Sequence, residues 1–297
     1  MLPSHQVPPP WRAAEGRMIL AFDALWILGG IPVYGVPAVA AAGVFQLAAS
    51  TVSWPAAALV APLAYFAFLF VLVGTVGIVR KLLPRERPGT SRVFVDREFF
   101  AFLMTWGLEA YVNPFISHIQ LLTVLRVSYL RLMGGRAVWS THVSPGARIW
   151  NPGMMRLGHL TYIGEHCHLS GHLSQGDKLL VAPIEVGDRT NLGAHVHIAP
   201  GCTIGNDVRI GALTDMAPGC EIGDHVEIGP RCAFGMAVRV EEGAKVEPMT
   251  FLDSYMTVPA GEIWGGNPAR KLGEVRDTPG ERRRRARRAG VERAPKR

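Results

Sequence analysis

Between Val186 and Val246 every sixth residue is apolar: Val186, Leu192, Ile198, Ile204, Ile210, Met216, Ile222, Ile228, Phe234, Val240 and Val246. The next residue is small at nearly every stop, as at Gly187, Gly193, Ala199, Gly205, Gly211, Ala217, Gly223, Gly229 and Gly235. Two residues before each stop stands a small or β-branched residue, from Thr190, Val196 and Cys202 to Val238 and Ala244. Helices repeat every 3.6 residues and strands every 2, so neither alone produces a period of six. The period predicts a parallel β-helix: three hexads close a triangular coil of about 18 residues, and coils stack at ~4.8 Å. The apolar stop points into the prism. The small residue after it is expected to turn the corner, where a Cβ would crowd the bend.

Upstream, Val143, Ile149, Leu157, Ile163 and Leu169 fit the same pattern with two interruptions. Two residues are inserted between Ile149 and Leu157. Leu169 and Val186 are again out of register, so the stretch from about Gly171 to Pro183 is expected to leave the prism as a loop. Together these make about five coils within a β-helix domain spanning 140–272. Beyond Val246 the regular pattern fades.

The first third of the chain follows a different rule. Met18 to Ala49 is apolar except for Asp23 and Gln46, and Trp54 to Val79 carries no charge. Such runs are long enough to cross ~30 Å of hydrocarbon. They predict two transmembrane helices forming a hairpin over 18–83, the first kinked at Gly29, Gly30, Pro32 and Pro37. Residues 1–17 are Pro-rich and polar and are expected to be disordered. Arg12 and Arg17 precede the pair, and Arg80, Lys81, Arg85, Arg87 and Arg92 follow it, whereas the connection near Ser50 is uncharged. The positive-inside rule then puts both ends of the hairpin, and the β-helix, in the cytoplasm of a multi-pass protein of the inner or plasma membrane. Between them, 84–136 reads as a linker from Pro84 to Ser91 followed by amphipathic helices. Phe115, Ile119, Leu122, Leu125, Tyr129 and Leu132 keep a 3–4 spacing that suits either a membrane interface or the end of the β-helix.

Composition adds three points. The net charge of +7 is concentrated after the apolar segments and in the tail, where Arg282–Arg285, Arg287 and Arg288 make 273–297 a basic, disordered extension. Beside such apolar runs, the positive charge favours an anionic bilayer over nucleic acid. Cys202, Cys220 and Cys232 occupy the small inward hexad position, and with Cys167 they form no Cys-x-x-Cys pair.

A β-helix has flat faces, so a pocket must come from a loop or from a neighbouring copy. At the root of the ejected loop stands Ser170-Gly171-His172-Leu173, and a neutral imidazole there suits the removal of a proton near neutral pH. After the loop come Pro183-Ile184-Glu185-Val186-Gly187-Asp188 and Pro200-Gly201-Cys202-Thr203-Ile204-Gly205, and later Gly265-Gly266-Asn267-Pro268-Ala269-Arg270. This ordered set resembles the hexapeptide-repeat acyltransferases, over roughly 140–272. The apolar segments in front resemble a narrower, membrane-anchored branch that includes the terminal domains of some nonribosomal peptide synthetases.

The resemblance implies a left-handed β-helix that assembles as a homotrimer, and acetyl-CoA or another acyl-CoA as donor. It implies His172 as general base, Ala194 and Ala212 as small residues bordering the pantetheine arm, and Arg270 near the cofactor's phosphate end. The implied protein is a membrane-anchored acetyltransferase acting on a hydroxyl or amine of a membrane-linked sugar, glycan precursor or peptide, with no metal. Asn191 stands where that family often has Trp, and about two extra coils precede Arg270. Two other readings stay open. One is a non-catalytic trimeric membrane scaffold. The other is a zinc enzyme like the γ-class carbonic anhydrases, drawing ligands from His159, His166, His168, His172, His195 and His197.

Overall fold

A computed structural model describes residues 9–52 and 57–275. Of the basic tail expected at 273–297, Gly273 and Glu274 belong to the last strand, and 276–297 lies outside the described residues. The chain forms a left-handed parallel β-helix preceded by helices. These are α1 (Pro9–Thr51), α2 (Ala61–Leu82), α3 (Arg97–Val112), α4 (Ile116–Leu121) and α5 (Thr123–Leu132). Helix α1 begins at Pro9, so the described part of 1–17 is helical rather than disordered, and it runs through Pro32 and Pro37. Leu20–Thr51 and Ala61–Leu82 are both long and apolar enough to cross a membrane.

The prism has more coils than the period alone suggested. Its three faces hold seven, six and six parallel strands, the first face ending in one further antiparallel strand, Arg270–Glu274. The hexad therefore continues past Val246. Lys245 and Val246 pair with Ile263 and Trp264, while Leu252 and Val258 close the sixth coil with side chains fully buried. In the regular part, side-chain bonds link residues 18 apart: Arg189 Nε to Asp207 Oδ1 at 2.7 Å and Asn206 Nδ2 to Asp224 Oδ1 at 3.1 Å. The inward stops Leu192, Ile198, Ile204 and Ile210 are at most 3% exposed. All four cysteines are buried thiols in this core.

The small residue after each stop does not turn the corner. The corner lies two positions later, where the backbone is left-handed at Arg189, His195, Gly201, Asp207, Leu213, Gly219 and onwards to Tyr255 and Gly261. What Gly211 supplies is closeness between coils. A Cβ there would lie 2.3 Å from the Pro230 nitrogen of the next coil, far inside contact distance. The recurrence of histidine at corners (His166, His195, His225) follows from the same backbone, because histidine adopts the left-handed region more readily than most side chains.

Both interruptions have a structural counterpart. The two-residue insertion becomes a turn around Asn151 and Pro152–Met154, with Asn151 left-handed at φ 57° and fully buried. The long loop becomes an antiparallel hairpin, His172–Gln175 with Lys178–Val181. The linker differs most from expectation. Gly89–Arg92 is a strand that pairs with the hairpin, Gly89 opposite Val181 and Arg92 opposite Lys178. The segment expected to connect two domains is therefore a strap across the loop.

Candidate active site

His172 opens the hairpin two residues after Ser170, the end of the second-coil strand His168–Ser170. Gly171 lets the loop leave there. A Cβ on it would lie 2.9 Å from the Met154 Cβ and 3.0 Å from the Asn151 Cβ. The close approach puts the His172 ring against the buried Asn151, with Nδ1 and Oδ1 2.5 Å apart. Asn151 is held from the other side by two glutamates of the helical region. Its Nδ2 donates to Glu86 Oε1 at 3.0 Å, and its backbone N–H donates to Glu109 Oε2 at 3.1 Å.

That chain of bonds fixes the imidazole. With Glu86 ionised its carboxylate only accepts, so the Asn151 amide turns its NH2 toward Glu86 and its oxygen toward His172. Nδ1 then carries the proton and donates it to Oδ1, leaving the Nε2 lone pair free to act as a base. Phe102 of α3 packs on the ring at 4.9 Å between centroids. Burial, with the His168 imidazole nearby, lowers the His172 pKa from its ordinary value, so the ring is neutral at physiological pH.

The glutamates pay for their position in desolvation. Glu86 is 8% and Glu109 1% exposed, and each has one carboxylate oxygen without a partner in the described structure. Burial raises Glu86 to about 7, against the Asn151 hydrogen bond and the Arg80 charge. Burial, with Glu86 beside it, pushes Glu109 well above the usual carboxylate range. Burial therefore favours the protonated form of both carboxyls, Glu109 more strongly than Glu86.

A cavity of about 190 Å³ opens beside the assembly, lined by Glu86, Arg87, Ser91, Glu98, Phe102 and Val181 among others. A larger depression of about 490 Å³ on the third face is lined by Thr203, Glu221, Arg239 and Glu241. We place the candidate chemistry at the smaller one, because it borders Glu86, which holds Asn151, and Phe102, which packs on the His172 ring.

The other expected site residues are elsewhere in the chain. Ala194 and Ala212 stack one above the other on the corner between the first and second faces, where the Leu213 N–H bonds to the Ala194 carbonyl at 2.9 Å. His172 stands at the next corner. Arg270 is exposed on the last strand of the first face, six strand spacings beyond the strand of the His172 coil, roughly 29 Å along the axis at ~4.8 Å per spacing. One chain does not bring these residues together with His172.

The remaining histidines have local roles. His166 and His195 stack at 5.1 Å, His168 and His197 meet at 5.7 Å on neighbouring rungs, and His197 Nδ1 lies 3.0 Å from Asp215. Among the described residues no three His, Cys, Asp or Glu side chains form a group that could hold a metal.

Asn151, Glu86, Glu109 and Phe102 did not enter the sequence reading as site residues. The signals were present: an insertion of two residues at Asn151-Pro152, and a glutamate inside the apolar run of α3. Neither points to His172 until the helices are docked.

A model of the bacterial transferase hexapeptide (six repeats) matches residues 183–214 and 201–235. The chain carries the hexapeptide repeat. Several solved structures are similar to this chain. LpxA from Acinetobacter baumannii is 21% identical over 50% of this chain and 59% of that one, with a TM-score of 0.37. The acetyltransferase domain of PglB from Neisseria gonorrhoeae is 16% identical over 44% and 57%, TM-score 0.38. AntD, an N-acyltransferase from Bacillus cereus solved with dTDP and 3-hydroxybutyryl-CoA, is 18% identical over 55% and 95%, TM-score 0.43. The chain thus spans less than two thirds of the first and second of these. Comparison with curated protein sequences finds no significant match.

Proposed function

We propose that the protein is a membrane-anchored acyltransferase that moves an acetyl or other short acyl group from acyl-CoA to a hydroxyl or amine. The observation that carries this reading is the His172 imidazole, neutral and held by Nδ1 on Asn151 so that Nε2 is free. In the reaction, Nε2 takes the proton from the acceptor O–H or N–H as its heteroatom attacks the thioester carbonyl. The tetrahedral intermediate collapses with cleavage of the C–S bond. The imidazolium returns its proton to the departing thiolate, which restores neutral His172. The Asn151 amide oxygen accepts from Nδ1–H throughout and stabilises the transient cation.

The carbonyl oxygen needs an N–H donor as charge develops on it. Ala194 and Ala212 are proposed to border the pantetheine arm. Because they occupy a different corner from His172, a neighbouring copy would supply them, which fits a homotrimer with clefts between subunits. Arg270 has no role in this reading. The acceptor is proposed to be a membrane-linked sugar, glycan precursor or peptide, since the apolar hairpin would keep the site near the bilayer. The catalytic domain is proposed to face the cytoplasm, where acyl-CoA is available; Arg80 and Lys81 in the last turn of α2, with Arg85, Arg87 and Arg92 after it, support this orientation.

The test is acetyl-CoA binding and thioester turnover by detergent-purified protein, wild type beside His172→Ala. Both should bind, and the variant should lose turnover. Failure of both proteins to bind any acyl-CoA would sink the acyltransferase reading.

A further inference from the structure

Helix α2 is fastened at both ends to helices that lie on the end of the prism. Near its start the Tyr65 ring meets His118 of α4 at 5.6 Å, and Phe68 meets Phe115 at 5.2 Å. Near its end Gly77 fits against Leu132 of α5, where a Cβ on the glycine would lie 2.8 Å from the leucine Cβ. Helices α4 and α5 are bonded in turn to the start of the β-helix. Gln120 Nε2 donates to the Ala147 carbonyl at 2.5 Å, the Arg126 guanidinium to the Thr141 carbonyl, and Arg131 Nε to the Ala137 carbonyl at 2.8 Å.

These anchor points fix a direction. Ala147 and the Asn151–Gly153 turn stand at the two ends of one first-coil strand, Arg148–Trp150, and so mark two successive corners of that coil. Gln120 lies over the first corner. The end of α5 lies over the second, where a Cβ on Gly153 would be 3.0 Å from the Met133 carbonyl and one on Gly135 only 2.2 Å from that of Pro152. Helices α4 and α5 therefore cross the end of the prism, and α2 runs alongside them, across the prism axis rather than along it.

An α2 standing normal to a bilayer conflicts with this. Its 22 residues would fill the ~30 Å of hydrocarbon. Helix α5 lies one helix spacing, ~8–10 Å, to its side, and the first coil directly beyond. The exposed His142 and Arg148 of that coil, and the peptide groups of its turns, would then stand at the depth of the acyl chains with no water to solvate them. Laying the helices parallel to the membrane surface removes the conflict. The inner face of α2 (Leu69, Leu72, Val76) is buried in protein, and the face that remains exposed is apolar, with Leu63, Phe66 and Ile78 joined by Leu28 and Ile31 of α1. Lys81, Arg85 and Arg87 are exposed at the end of this face, placed to meet anionic headgroups.

We propose that the α1–α2 hairpin lies in one leaflet of the bilayer, parallel to its surface, and carries the prism upright on the headgroup layer. The hairpin enters and leaves on the same side as the β-helix. The proposal goes beyond the acyltransferase reading and does not depend on it. Where both hold, His172 sits one coil above the helical layer, within reach of an acceptor attached to lipid.

Cysteine labelling tests it in the full chain in sealed membrane vesicles. The four native cysteines are buried, so they give little background with a membrane-impermeant maleimide. Thr51→Cys reports the exposed end of α1, and Asp253→Cys reports the prism. The expected result is no labelling of Thr51→Cys from the side opposite to the one that labels Asp253→Cys. Labelling from that opposite side would show that the hairpin crosses the bilayer and overturn the proposal, as would recovery of the protein in the soluble fraction without detergent. Neither outcome bears on acyl-CoA binding, so failure here is distinguishable from failure of the proposed activity.

Discussion

The two parts of the prism obey the same period and serve different ends. From Pro183 onward the coils repeat with no insertion, most outward rung residues are exposed, and bonds between rungs join like positions, as in Arg209 to Glu227 at 3.3 Å. From Val143 to Ala182 the period breaks twice. One break makes the buried turn at Asn151 and the other makes the hairpin that begins at His172, and the two meet in a single hydrogen bond. Regular stacking pairs the strands rung to rung and brings no histidine to the depression on its third face. A site for chemistry needs chain that departs from the stack, and that chain must then be supported from outside, here by Glu86, Glu109, Phe102 and the Gly89–Arg92 strap.

If the break is the catalytic part, His172→Ala should produce the largest change, a loss of ~10²–10⁴-fold in turnover with acyl-CoA binding retained, measured by steady-state kinetics and calorimetry. The matching assault on the regular part is Gly211→Val. The added atoms meet the Pro230 backbone 2.3 Å from the Cβ position, and overpacking of that kind costs about 1–3 kcal/mol or more. Denaturant unfolding should show the loss; an unchanged midpoint would mean that the coils are less tightly stacked than described.

Asn151→Ala should sharpen the comparison, because it removes the link between the breaks. Misorientation of the base should lower kcat by ~10–100-fold with little change in KM, and ¹⁵N shifts of the His172 ring should show a mixture of tautomers. A kcat equal to wild type would remove Asn151 from the mechanism.

Glu86 connects activity and stability with opposite signs. Protonation near pH 7 lets the carboxyl donate to the Asn151 oxygen and turn the amide, which presents NH2 to His172 and favours the wrong tautomer. Turnover should therefore fall as the pH drops through about 7. In Glu86→Gln that limb should move lower, toward the depressed pKa of His172 itself. Stability should run the other way. Glu86 binds its proton more tightly folded than unfolded, so acidification from pH 8 toward 5 should stabilise the fold, by roughly 3 kcal/mol for a carboxyl raised from 4.5 to about 7. Thermal unfolding across that range checks the direction. The smallest effect belongs to the surface ladders: Arg209→Ala should cost less than ~1 kcal/mol, since both partners of its ion pair are exposed.

How much of this could be read from the chain differs by region. The six-residue period, the inward cysteines, the departure of the loop and the position of His172 at its root are local properties, and each is visible as a spacing. The sequence did not reveal the full length of the prism, because Trp264 and Met256 are atypical occupants of hexad positions. It also suggested that the small residue turns the corner, whereas the corner is at Arg189, Asp207 and their equivalents, and the glycine is there because the next coil passes too close for a Cβ.

By itself, then, the sequence determined the β-helix, its core and the candidate base, since a period is set by contacts between residues a fixed number apart. The tertiary structure alone decided what surrounds that base. Glu86 and Asn151 are 65 residues apart, and Glu109 and Asn151 are 42 apart. No repeat relates them; they meet because apolar helices pack across the end of the prism and bring two carboxyl groups to the buried turn that the insertion makes at Asn151. The direction of α2 relative to the prism was decided in the same way, by which faces found a partner and which were left for lipid.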